Sequence, residues 1–179
     1  VGLGTLFGAM LELSGGARAV ANRLLAATGL KRAPSAMVVS GFIIAIPVFF
    51  DVGFIILVPL VYALQKKTGK SLLLFGLPLL AGLAITHAFI PPTPGPVAVA
   101  DIIGADLGWV ILFGFIAGIP AAIVSGPLFS RYISRRIHVE VPDYMDESQE
   151  EVPEGQLPSA GMVGSIIGIP ILLIVANTF

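Results

Sequence analysis

The chain has 179 residues, 56% hydrophobic and 12% charged, with a net charge of -1 and a mean hydropathy of +0.96; a soluble domain carries roughly 25% charged residues. The stretches 33–65, 71–100 and 107–130 together hold one charged residue, Asp51, which excludes a soluble globular domain, a disordered chain, a collagen and a coiled coil and points to helices solvated by lipid. There is no Cys, so disulfide and thiolate chemistry are excluded too.

Residues 1–13 read as the tail of a span, with Gly4 and Gly8 spaced for close approach of another helix. The sequence starts inside one apolar run and stops at the end of another, which reads as a fragment of a longer membrane protein. No cationic leader precedes residues 1–13, so a cleavable signal peptide is not expected. Residues 14–32 put Ala17, Val20, Ala21 and Leu24 on one helical side and offer Arg18, Arg23, Lys31 and Arg32 to head groups, as an interfacial helix does.

Residues 36–64 form an apolar run broken by Pro47, Asp51, Gly53 and Pro59. As one helix it would reach about 44 Å, too long for a ~30 Å hydrocarbon core and too short for two spans. A re-entrant hairpin of two half-helices is therefore predicted. Residues 71–90 are a full span, halted by 91–96 (PPTPGP), where four prolines remove donors and clash with preceding carbonyls. A short apolar piece, 97–104, completes a broken helix over 71–104. Residues 107–130 form the next span, with Gly114 and Gly118 in small-xxx-small spacing and a kink expected at Pro120. Residues 137–160 carry Glu140, Asp143, Asp146, Glu147, Glu150, Glu151 and Glu154 and read as a solvated acidic loop on the cytoplasmic side. A second membrane half begins at 161–179.

All ten Lys and Arg fall in three clusters, 18–32, 66–70 and 131–136. If 36–64 is re-entrant, 71–105 crosses outward and 107–130 returns, all ten lie on one side, as basic residues tend to. The predicted fold is an all-α, polytopic membrane protein with a membrane domain over 1–136.

An ionisable group at bilayer depth normally marks an ion or substrate path, so Asp51 is the candidate proton-coupling carboxylate; capping the second half-helix is the structural alternative. His87, four residues before the first proline of the break, titrates in the range a proton carrier needs; a histidine bonded to carbonyls that the prolines free is its alternative. The helix starting near Pro96 should present free N–H groups and a positive end to an anion. There Thr93 offers a hydroxyl and Gly95 permits close backbone approach, while Gly53 stands beside the first break. One proline suffices for a kink, and here there are four. Two discontinuous membrane elements of this kind form secondary-transporter sites. The sequence contains no metal-ligand cluster, nucleotide-binding glycine loop or nucleophile–base pairing, so neither metal, cofactor nor nucleic acid is expected.

The segments FGAMLELSGGARAVA, GFIIAIPVFFDVGFIILVPLV and THAFIPPTPGPVAVADIIGADLG resemble the gluconate permease (GntP) family of the ion transporter superfamily. The resemblance implies bacterial inner-membrane symport of gluconate or a related small hydroxylated acid with protons. It also implies two inverted repeats, of which this chain covers mainly the first. Asp51 matches an acidic position of the family, His87 its histidine, and Pro91, Pro92, Pro94 and Pro96 its proline-rich motif; Thr93 departs, because histidine is common there. The function expected is therefore that of a multi-pass, proton-coupled carrier rather than an enzyme, with an organic acid, protons and lipid as its partners and a homo-oligomer left open. D-serine, glycerate and fructuronate are related substrates. Sodium coupling, a membrane-embedded acid–base enzyme and a passive channel are the rivals.

Overall fold

The computed structural model describes residues 14–142 and 158–178, and every regular element among them is helical. Gly4, Gly8 and most of the acidic stretch lie outside the described residues. Helix α1 spans Gly16–Thr28, α2 Ala33–Ile44, α3 Phe50–Thr68, α4 Leu73–Phe89, α5 Pro94–Ile103 and α6 Leu107–Ile123. A π turn at Val124–Leu128 carries α6 into α7, Phe129–Ile133, and α8 covers Ala160–Thr178. Two stretches, Leu73–Ile103 and Leu107–Ile133, are long and apolar enough to cross a membrane.

Helix α1 buries Ala17, Val20 and Ala21 and leaves Arg23 exposed, the sidedness its sequence predicts. Gly29, at φ 69°, ends it. Pro34 then sits in the first turn of α2, where its missing N–H costs nothing.

Of the four residues expected to break the apolar run 36–64, Pro47 falls between helices while Asp51 and Gly53 lie inside α3, and the division is unequal. Helix α2 has 12 residues and α3 has 19, so α3 alone is about 28 Å long and takes Pro59 inside it. The two helices have little contact with each other, and α2 lies along α4 instead. Glycines permit that approach: a Cβ on Gly41 would stand 2.6 Å from the Leu79 carbonyl oxygen, and one on Gly82 would overlap the Val38 carbonyl oxygen. Lipid is as apolar as Leu, so such backbone contact, and not burial from water, is what joins helices in a membrane. Met37, Ile44, Leu57, Phe75, Leu79 and Leu83 fill the interior around α4.

Gly104, at φ 66°, ends α5, and the Asp106 carboxylate starts α6 by accepting a 2.8 Å hydrogen bond from the Gly108 N–H. Gly114 and Gly118 both face α4: added Cβ atoms would stand 2.5 Å from the Phe89 carbonyl oxygen and 3.2 Å from the Ile85 side chain. Pro120 lies within α6, and the departure from α-helical geometry comes later, at the π turn around Pro127. Ile102, Phe113 and Ile116 point outward at 58–81% exposure, an apolar surface that lipid solvates at no cost.

Candidate functional site

Two interruptions meet in this fold. The first is the turn between Ile44 and Phe50. Pro47 has no N–H, and the Ile46 N–H turns back to the Ile43 carbonyl at 3.3 Å, which leaves the Phe42 carbonyl without its helical donor. The fully buried Thr86 supplies one from α4, donating its hydroxyl to that oxygen at 2.9 Å. A polar side chain thus satisfies backbone that the break sets free.

The second interruption is 90–93, between α4 and α5. Continuing α4 would require the N–H groups of residues 91 and 92 to meet the carbonyls of His87 and Ala88, and both residues are proline. Those oxygens are therefore acceptors without helical donors. The Thr93 N–H and hydroxyl both donate to the Ile90 carbonyl, at 3.3 and 2.6 Å. The hydroxyl hydrogen expected to reach a ligand is thus committed within the turn.

Helix α5 begins at Pro94, two residues before the expected start. Of the amides in its first turn, those of Pro94 and buried Pro96 carry no hydrogen, which leaves the Gly95 N–H as the open donor. Gly95 is exposed, and a Cβ there would meet nothing within 4 Å. The positive end of α5 is therefore poorer in donors than its place in the sequence suggests, while the end of α4 is richer in acceptors.

His87 connects the two breaks. It lies in the last turn of α4, and its ring sits 6.0 Å from that of Phe49, which immediately precedes α3. Its Nδ1 is buried without a hydrogen-bond partner. Asp51, two residues past Phe49, occupies the exposed first turn of α3, where the helix dipole favours a carboxylate. Gly53 faces inward: a Cβ would stand 2.9 Å from a Leu83 methyl group, so packing of α3 on α4 accounts for this glycine.

A cavity of about 340 Å³ runs from Pro94 to Leu107 along α5 and has Asp101 as the ionisable residue in its lining. That size falls within the ~300–1,000 Å³ typical of ligand pockets. Neither Asp101 nor Thr86 stood out in the sequence as a site residue. Each is nonetheless a polar group beside the proline-rich break, and that position was the signal available. Among the described residues no cluster of His, Asp and Glu could hold a metal ion.

The GntP family permease model matches residues 1–179. A gluconate permease of Pseudomonas aeruginosa is 40% identical over 178 residues, covering 99% of this chain and 40% of that protein. A gluconate permease of Zymomonas mobilis is 41% identical over 180 residues, with the same two coverages. The Gnt-II system L-idonate transporter of Escherichia coli is 43% identical over 135 residues, 75% of this chain and 31% of its own length. The chain thus spans about two fifths of the length of such relatives. No solved structure matches it.

Proposed function

The chain belongs to the GntP permease family, and from that membership and the joined breaks we propose that it forms part of a secondary active transporter that carries gluconate, or a closely related sugar acid such as L-idonate, together with protons across the bacterial inner membrane. The observation that carries this reading is the contact of His87 with Phe49, which brings an unbonded imidazole nitrogen to the point where two interrupted helices meet. Interrupted helices at bilayer depth are tolerated where they line a cavity, and transporters place substrate and coupling ion there.

In this reading the hydroxyls of the substrate donate to the open carbonyls of His87 and Ala88. The carboxylate meets the Gly95 N–H and the positive end of α5. His87 and Asp51 carry the proton. Thr93 shapes the turn and acts on the ligand through it. The 36–64 segment enters and leaves one face of the membrane as a hairpin whose longer arm is α3. Chemistry on the substrate is not part of this scheme.

Counterflow in proteoliposomes containing the full-length protein tests it. Unlabelled gluconate inside should drive transient accumulation of labelled gluconate, recovered unchanged, and L-idonate should compete. Non-saturating flux without counterflow would indicate a channel, and a chemically altered product an enzyme.

A further inference from the structure

The three cationic clusters, far apart in the sequence, converge in the fold. Lys31 from the first, Lys70 from the second, and Arg131 and Arg135 from the third line a single open cavity of about 440 Å³. The described acidic side chain beside this region, Glu140, is engaged by His138 at 3.4 Å. Among the described residues none of the four cations has an ion pair and no carboxylate lines the cavity. Four like charges gathered around one space repel one another, and a bound anion reverses that cost.

The first turns of two helices border the same space, through Pro34 of α2 and Leu74 of α4, and their dipoles add positive potential. The wall is tied in place. The buried Ser71 hydroxyl donates to the Ile137 carbonyl at 3.0 Å, the Val139 N–H donates to Ser71 Oγ at 3.1 Å, and the Leu72 N–H donates to the Val139 carbonyl at 2.8 Å. These bonds hold the segment after α7 against the start of α4, and Arg131, Arg135 and Lys70 line the same cavity.

We propose that this cavity binds a phosphoryl group, presented by an anionic phospholipid headgroup or as free phosphate. Guanidinium forks match phosphate oxygens in pairs while ammonium groups add point charge, and basic pockets between membrane helices take up anionic headgroups. The site is separate from the helix breaks and needs no transported substrate.

The full-length protein in detergent should be titrated with short-chain phosphatidylglycerol, with phosphatidylcholine and with inorganic phosphate, following binding by thermal shift. Removing two charges in Arg131→Gln/Arg135→Gln should weaken binding about thirtyfold. Arg18→Gln/Arg23→Gln, which removes the same charge outside the cavity, should change it less than about twofold. If the arginine pair does not fold, Lys31→Gln/Lys70→Gln serves with the same expectation. Phosphatidylglycerol binding that phosphatidylcholine does not reproduce identifies a headgroup, and equal saturation by inorganic phosphate alone identifies the free ion. Equal losses in cavity and control variants, or no binding by any ligand, would overturn the proposal. So would binding that appears only after Glu147, Glu150 and Glu151 are changed to Gln, since the acidic stretch would then be the occupant.

Discussion

The Thr86 hydroxyl donates to the Phe42 carbonyl oxygen at 2.9 Å, a bond between α4 and the end of α2 that closes the gap left where Pro47 interrupts the helix. Thr86 is fully buried and the bond itself part-buried, so Thr86→Val leaves an unsatisfied acceptor at nearly constant volume. The expected cost is about 1–3 kcal/mol of stability, seen as a lowered denaturation midpoint in detergent. Thr86→Ser should restore most of it. A Val variant as stable as the parent would show that the bond contributes nothing.

Glycines in the same fold should respond in opposite ways. Gly82→Ala drives a Cβ into the Val38 backbone and forces α2 from α4, so sharply reduced folded yield is expected. Gly95→Ala meets no atom and exchanges a poor helix former for a good one, so stability should hold or rise by about 0.5–1 kcal/mol. Gluconate affinity, measured by competition, should nevertheless fall for Gly95→Val, whose branched side chain stands over the open amide. Intact affinity in Gly95→Val would move the carboxylate site elsewhere.

At Thr93 the hydroxyl is already bonded to Ile90, so Thr93→Val should weaken the turn by about 0.5–1.5 kcal/mol. Thr93→Ser should retain both stability and transport. If Thr93→Val leaves stability unchanged and abolishes competition by gluconate, the hydroxyl contacts the ligand directly.

Much of this arrangement is legible along the chain because it follows from local chemistry. The division at Pro47, the end of α4 before Pro91 and Pro92 and the small-residue face at Gly114 and Gly118 each depend on residues close together in sequence. What α2 packs against is not legible, because Gly41 and Gly82 acquire meaning only when the two helices are side by side. The donor count at α5 follows from the prolines once the helix is known to start at Pro94 and not near Pro96, a shift of two residues that local propensity does not resolve. The roles of Asp51 and His87 depend on proton movement, which neither sequence periodicity nor static geometry measures.

Lys31 and Lys70 line one cavity, and Lys66 lies in the last turn of α3, four residues before Lys70. Single cysteines at Lys31 and Lys66 should therefore react with an impermeant reagent from the same side of the membrane. Reaction from opposite sides would exclude the hairpin reading of 36–64.

Asp51→Asn keeps the shape of the side chain and removes its titration. Uphill accumulation of gluconate should be lost while exchange down its own gradient survives, at unchanged expression. Normal uphill uptake would remove Asp51 from the coupling path.

The most direct measurement is simultaneous recording of labelled gluconate uptake and proton influx in proteoliposomes containing the full-length protein, with an imposed inward proton gradient. Gluconate should accumulate above its external concentration with a matching proton influx, and both should disappear when the gradient is collapsed and in His87→Gln. Accumulation without proton movement, or full coupled uptake in His87→Gln, would contradict proton-coupled transport through the joined breaks.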